Sequence, residues 1–87
     1  KVLVFPNPVP PGYTGAIAIR GLVEDAIVKI TGLDGRLIYQ TRALGGQAVW
    51  NGRDYAGRQV VTGIYLVLVS DDSRQEKMAT KIIFIGK

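Results

Sequence analysis

The side chains that could act chemically on a substrate are few in this 87-residue sequence. It contains no histidine and no cysteine, so it lacks the commonest general base near neutral pH and the nucleophilic thiol. Zinc loses its two preferred ligands for the same reason. Seven acidic residues and four tyrosines remain as candidates. Paired carboxylates can hydrolyse glycosidic bonds and exposed aromatic rings can hold a sugar, so their positions decide whether the chain has chemistry of its own.

The acidic residues fall at strand ends and turns of the apolar pattern, at Glu24-Asp25, Asp34, Asp54, Asp71-Asp72 and Glu76. Aspartate favours turns because its carboxylate accepts hydrogen bonds from nearby backbone N–H groups. Residues 71–73 could offer oxygen ligands, but the spaced acids of a dedicated calcium loop are missing. The glycines lie at turns and precede no helix that could cradle a phosphate. We therefore expect no enzyme activity, no metal and no cofactor.

The aromatic residues divide into those within apolar segments and those in loops. Trp50 ends an alternating segment and Tyr65 lies within an apolar one, which predicts that both pack in the core. Tyr13 and Tyr55 fall in loop segments, where their rings could be exposed. Two loop tyrosines are weak support for a sugar-binding groove, so a carbohydrate-binding module stays an alternative.

Charge and hydropathy argue against two other classes of function. The net charge is +4, but the 11 basic residues are scattered singly from Lys1 to Lys87 and form no cluster that could follow a phosphate backbone. We therefore expect no nucleic-acid partner. The longest apolar runs, such as residues 64–69, are far shorter than the roughly 20 residues that cross a bilayer as a helix. No signal peptide is evident, and the length predicts a single domain, residues 1–87, cut from a longer protein.

The elements that must position these residues are strands. Short β-branched segments separated by Gly, Pro, Asn or Asp recur at intervals of roughly 8 to 12 residues. The pattern predicts seven strands, at residues 2–5, 16–20, 26–31, 36–41, 46–50, 63–70 and 76–85. Their number and short connections predict an all-β, immunoglobulin-like antiparallel sandwich of two sheets. An open barrel, or a sandwich whose first or last strand pairs elsewhere, would fit the same pattern.

Particular residues mark where the strands turn. Pro6 and Pro8 end the first strand because they cannot donate a ladder hydrogen bond. Asp34 and Gly35 predict a hairpin, since both residues tolerate positive φ. Residues 71–73 are predicted to turn the chain into the last strand.

Several segments resemble a known family in their order along the chain. Phe5-Pro6-Asn7-Pro8 resembles the F/Y-P-N-P opening of the C-terminal sorting domains of Bacteroidetes proteins that the type IX secretion system exports. Residues 28–39 resemble that family's V-x-I-x-x-x-x-G-R-x-V-x hairpin, and residues 81–87 its basic end. Trp50-Asn51-Gly52 and Gly63-Ile64-Tyr65 belong to a pattern shared with the immunoglobulin-like domain of flagellar hook-capping proteins, so they are typical of the fold.

The resemblance implies a non-catalytic signal that directs its parent protein across the periplasm and through the outer-membrane translocon to the cell surface. The implied partners are proteins of that machinery, namely the translocon, its shuttle and the sortase. Residues 11–22 resemble a propeller-bearing member of the cell-surface attachment complex, which implies docking on the sortase instead of removal by it. A structural spacer or assembly domain, like the hook-capping unit, is the runner-up.

The last segment is predicted to bind the partner. It is expected to end an edge strand and comprises Lys81, Ile82, Ile83, Phe84, Ile85, Gly86 and Lys87. Both of its alternating faces are apolar, whereas a surface strand normally keeps one polar face. The second face must be covered by the sandwich or by a partner, and we predict a partner because the resemblance implies recognition at this end. Edge strands also present unpaired backbone groups that can recruit another chain.

Overall fold

The computed structural model describes residues 1–71 and 75–86, which form a two-layered β-sandwich. Its seven strands are β1 Leu3–Phe5, β2 Ile17–Arg20, β3 Ile27–Thr31, β4 Leu37–Arg42, β5 Gln47–Trp50, β6 Gly63–Ser70 and β7 Glu76–Phe84. One sheet has the order β1-β2-β5 and the other β4-β3-β6-β7, with antiparallel pairing throughout. The predicted immunoglobulin-like sandwich is confirmed, and every strand boundary lies within one residue of its prediction. No membrane-spanning helix is found among the described residues.

The core lies between the two sheets because each strand alternates its side chains between the interior and the outside. Ile17 and Ile19 on β2 are fully buried. Trp50 meets Tyr65 and Phe84 there, with ring centroids 6.1 Å and 6.3 Å from the indole. The predicted core positions of Trp50 and Tyr65 are therefore confirmed. Each large apolar side chain buried in this way contributes about 1.5 to 3 kcal/mol.

The hairpin predicted between β3 and β4 is present, with a different turn from the one expected. Gly35 has positive φ, at 85°, but Asp34 does not. Gly32 donates its N–H to the Arg36 carbonyl and accepts from the Gly35 N–H, both at 3.0 Å, which leaves a three-residue loop. Such loops combine a type I turn with one left-handed residue, so a single glycine satisfies them. The Asp34 carboxylate accepts the Arg36 N–H at 3.0 Å and supports the turn.

The Trp50-Asn51-Gly52 segment turns the chain out of β5 and supports the C-terminal strand. The Asn51 side chain accepts the Arg53 N–H at 3.0 Å. The Trp50 indole N–H donates to the Arg53 carbonyl at 2.9 Å, which ties the ring to the same turn. Gly52 has a φ of 76°, and a Cβ at this position would lie 3.1 Å from the Phe84 ring. Glycine is therefore required here both by backbone conformation and by the packing of Phe84.

Two predictions fall partly outside the described residues. The turn predicted at residues 71–73 includes Asp72 and Ser73, and the C-terminal segment includes Lys87, none of which is described.

Candidate partner-binding surface

Several carboxylates serve as structural groups in the described part of the chain. Asp54 accepts the N–H groups of Ala56 and Arg58 at 2.9 Å and 3.0 Å, so it organises its own turn as predicted. Glu76 forms an ion pair with Lys29 at 3.0 Å. Nowhere in residues 1–71 and 75–86 do three His, Cys, Asp or Glu side chains come together as a metal would require. The possible calcium ligands Asp72 and Ser73 lie outside these residues.

The two loop tyrosines also serve the fold. Tyr55 is exposed, but its hydroxyl accepts the N–H of Gln40 at 2.9 Å and donates to the carbonyl of the same residue at 3.3 Å. This contact occupies the outer edge of β4. Tyr13 is half-buried against the core instead of exposed, because its hydroxyl donates to the Ala16 carbonyl at 2.7 Å. These two hydroxyls therefore bond to backbone groups of the domain itself.

The pKa of the Tyr65 phenol departs clearly from its ordinary value. Burial in the core raises the pKa above 10.0. The charge of Arg36 and the hydrogen bond that the phenol donates to the Val61 carbonyl, at 2.6 Å, oppose part of that shift. A neutral phenol that anchors the chain just before β6 is a structural group, and it fits the core position that the sequence predicts.

Buried and exposed side chains alternate along the C-terminal segment from Lys81 to Ile85. Ile82 and Phe84 are 0% and 2% exposed and belong to the core, whereas Ile83 and Ile85 are 42% and 39% exposed. The sandwich therefore leaves the second face of this segment uncovered in the described part of the chain. Lys81 is exposed beside it, so the side chains of Lys81, Ile83 and Ile85 can meet a partner and those of Ile82 and Phe84 cannot.

The outer backbone of this segment is bonded to the start of the chain. The Asn7 side-chain amide donates to the Lys81 carbonyl and accepts the Ile83 N–H, both at 2.9 Å. Val9 continues the contact: it donates to the Ile83 carbonyl at 2.8 Å and accepts the Ile85 N–H at 2.9 Å. Residues 7–9, which we call the edge strap, thus satisfy four outward-facing backbone groups.

The edge strap corrects one expectation. β7 is an edge strand of the larger sheet, as predicted, but its edge is closed from Lys81 to Ile85 by the protein itself. The expectation of an open edge was therefore wrong over this stretch. The sequence feature that could have indicated the edge strap is the amide side chain of Asn7 between Pro6 and Pro8, the two prolines that stop β1.

Two glycines of the sequence analysis also have structural roles. Gly63 begins β6, and the Gly86 N–H donates to the Thr62 hydroxyl at 2.8 Å.

Comparison with known proteins finds solved structures that resemble this chain, among them those of PorZ and PorU. No family model matches it, and no curated protein does. PorZ, described as an essential bacterial surface component of the type IX secretion system of Porphyromonas gingivalis, matches 97% of the chain with 39% identity and a TM-score of 0.84. Dimeric latent PorU from the same organism matches 99% with 23% identity and a TM-score of 0.68, which shows the fold alone. The chain spans only 11% of the PorZ chain and 9% of the PorU chain.

Proposed function

We propose that this chain is a non-catalytic sorting and docking domain of the type IX secretion system, because nearly its whole length is similar to PorZ. It would direct its parent protein across the periplasm to the cell surface and bind surface components such as the sortase. The observation that carries the proposal is 39% identity over 97% of the chain to a surface component of this system. We further propose that residues 1–87 act as one domain of a longer protein.

The side-chain chemistry supports a binding role. Asp34 and Asp54 bond to backbone N–H groups of their own turns, and Glu76 is paired with Lys29. Hydrolysis by an enzyme needs a nucleophile or water activated by a positioned base. Without histidine or cysteine, such a pair would have to come from carboxylates, and three of these, Asp34, Asp54 and Glu76, already serve turns or an ion pair.

The experiment that tests the proposal fuses the domain to the C-terminus of a periplasmic reporter in a type IX-competent bacterium. We expect the reporter to become accessible to protease on intact cells, and to stay in the periplasm in a matched strain that lacks the type IX translocon. A Trp50→Ala fusion serves as the destabilised control. Surface exposure that is equal in both strains, or absent in both, would contradict the proposal and favour a structural spacer.

Deleting residues 81–87 would be a poor version of this test. The deletion removes Ile82 and Phe84, which are buried core residues, so it would damage the fold together with any recognition surface. Substitutions of exposed residues separate the two effects.

A further inference from the structure

The central strand β6 is apolar on both of its faces. Tyr65 and Val67 point into the core, whereas Ile64, Leu66 and Leu68 alternate with them and point outward. Antiparallel strands with one solvated face normally alternate apolar and polar residues. Continuous apolar strands are typical of sheets that are covered on both sides. The outer side of β6 therefore has the composition of a covered surface.

Strand β7 extends this surface. By register, Met78 lies opposite Leu68, Lys81 opposite Leu66 and Ile83 opposite Ile64. Cross-strand neighbours of this kind lie side by side on one face of a sheet. Ile64 is 40% exposed, which is close to the exposure of Ile83, so the row is accessible. We call the outer patch the set formed by Ile64, Leu66, Leu68, Met78, Lys81 and Ile83.

The charges on this face indicate what kind of surface could cover it. Lys29 is neutralised by Glu76 at 3.0 Å. Lys81 has no ion-pair partner within the described residues, and by register it lies beside Leu66 in the apolar row. A second copy of the chain would bring another molecule of net charge +4 against it, and like charges across an interface are unfavourable. A carboxylate opposite Lys81 would be favourable.

The edge strap limits how a partner can bind here. Strand addition requires free backbone donors and acceptors at a sheet edge. Asn7 and Val9 already bond to those groups between Lys81 and Ile85. Recognition of the C-terminal segment must therefore use side chains on its outer face.

We propose that the outer patch docks on another protein whose contact surface is apolar and carries a carboxylate opposite Lys81. The inference rests on the proposed function and deepens it, because it names the surface and the chemistry of the partner. The apolar side chains of the outer patch would exclude water around the ion pair between Lys81 and the partner's carboxylate. Exclusion of water makes this pair sensitive to charge reversal. The opposite outer face, on the smaller sheet, provides matched control positions: Val49 is 46% exposed, and Arg20 is exposed and bonded to Gln47.

The test compares single substitutions in the reporter fusion. We expect Lys81→Glu and Ile83→Ser to lower surface delivery by about tenfold or more, as loss of a desolvated contact does. Lys81→Arg keeps the charge and should retain most of the delivery. The controls Val49→Ser and Arg20→Glu make the same chemical changes elsewhere and should leave it unchanged. Since the fusion carries no other part of the parent protein, a loss reports contact with a separate molecule.

The outcomes separate this inference from the proposed function. Normal delivery of Lys81→Glu and Ile83→Ser, with a working unmodified fusion, would overturn the outer patch and leave the sorting role intact. Failure of the unmodified fusion would overturn both. Equal losses in the control variants would also refute the patch. Thermal unfolding of each purified domain establishes that the variants are folded. Sedimentation tests whether the outer patch binds a second copy of the chain. A wild-type dimer that Ile83→Ser dissociates would replace the proposed partner with self-association.

Discussion

Asn7→Ala is the substitution that most directly probes how the start and end of the chain are joined. The wild-type Asn7 side chain makes two hydrogen bonds to β7, one donated to the Lys81 carbonyl and one accepted from the Ile83 N–H. Each such bond contributes about 0.5 to 1.5 kcal/mol net. Because Asn7 is exposed, water can replace part of each bond, so we expect a loss near the lower half of the sum, about 1 to 2 kcal/mol.

The measurement is unfolding in urea, monitored by the fluorescence of Trp50. This residue is the single tryptophan of the sequence and is buried in the core. Asn51→Ala is the matched control, since Asn51 is also exposed and accepts only the nearby Arg53 N–H. We expect it to cost about 0.5 to 1 kcal/mol. Asn7→Asp keeps the acceptor for the Ile83 N–H but sets a carboxylate oxygen against the Lys81 carbonyl oxygen in place of the donor. Because two acceptors repel each other, we expect it to be at least as destabilising as alanine at neutral pH.

Losing the Asn7 side chain should have a second consequence. Without it, the Lys81 carbonyl and the Ile83 N–H face outward unpaired, and exposed strand edges promote association between molecules. Size-exclusion chromatography should therefore show concentration-dependent association of Asn7→Ala but not of Asn51→Ala. The reasoning is refuted if Asn7→Ala matches the control in both stability and association.

Three further predictions concern the core. Trp50→Ala should cost about 3 to 5 kcal/mol, because it empties a buried site between Tyr65 and Phe84, and a native-like midpoint in chemical unfolding would contradict it. Gly52→Ala should cost more than about 1 kcal/mol by thermal or urea unfolding, since alanine must adopt positive φ and press on Phe84; an unchanged stability would show that this packing is loose. Tyr65→Phe should cost about 1 kcal/mol at neutral pH, through loss of the bond to the Val61 carbonyl. Because the pKa of Tyr65 is raised in the folded state, the neutral phenol stabilises the fold below pH 10.0, and this contribution is lost as pH rises through the folded-state pKa. The difference in unfolding free energy between wild type and Tyr65→Phe should therefore shrink in urea titrations above pH 10.0. A difference that stays constant with pH would contradict this linkage.

Local pattern in the sequence was sufficient to predict the strands and much of the core. Ile17 and Ile19 are both buried because a two-residue period places them on one face of β2. Gly35 marks its hairpin because glycine accepts positive φ without steric cost. The same alternation places Ile82 and Phe84 on one face and Ile83 and Ile85 on the other. Because both faces are apolar, packing in the sandwich decides which of them is buried.

Contacts between distant parts of the chain were decided only by the tertiary structure. Asn7 is separated from Lys81 and Ile83 by 74 and 76 residues, and Tyr55 reaches the edge of β4 at Gln40. A hydrogen bond to a particular backbone group depends on the register and relative position of whole strands, whereas a sequence pattern specifies only the period within each strand. The residue pattern is therefore enough to assign the apolar faces of the strands, whereas the packing of the two sheets sets which strand edges are closed and which apolar face remains exposed.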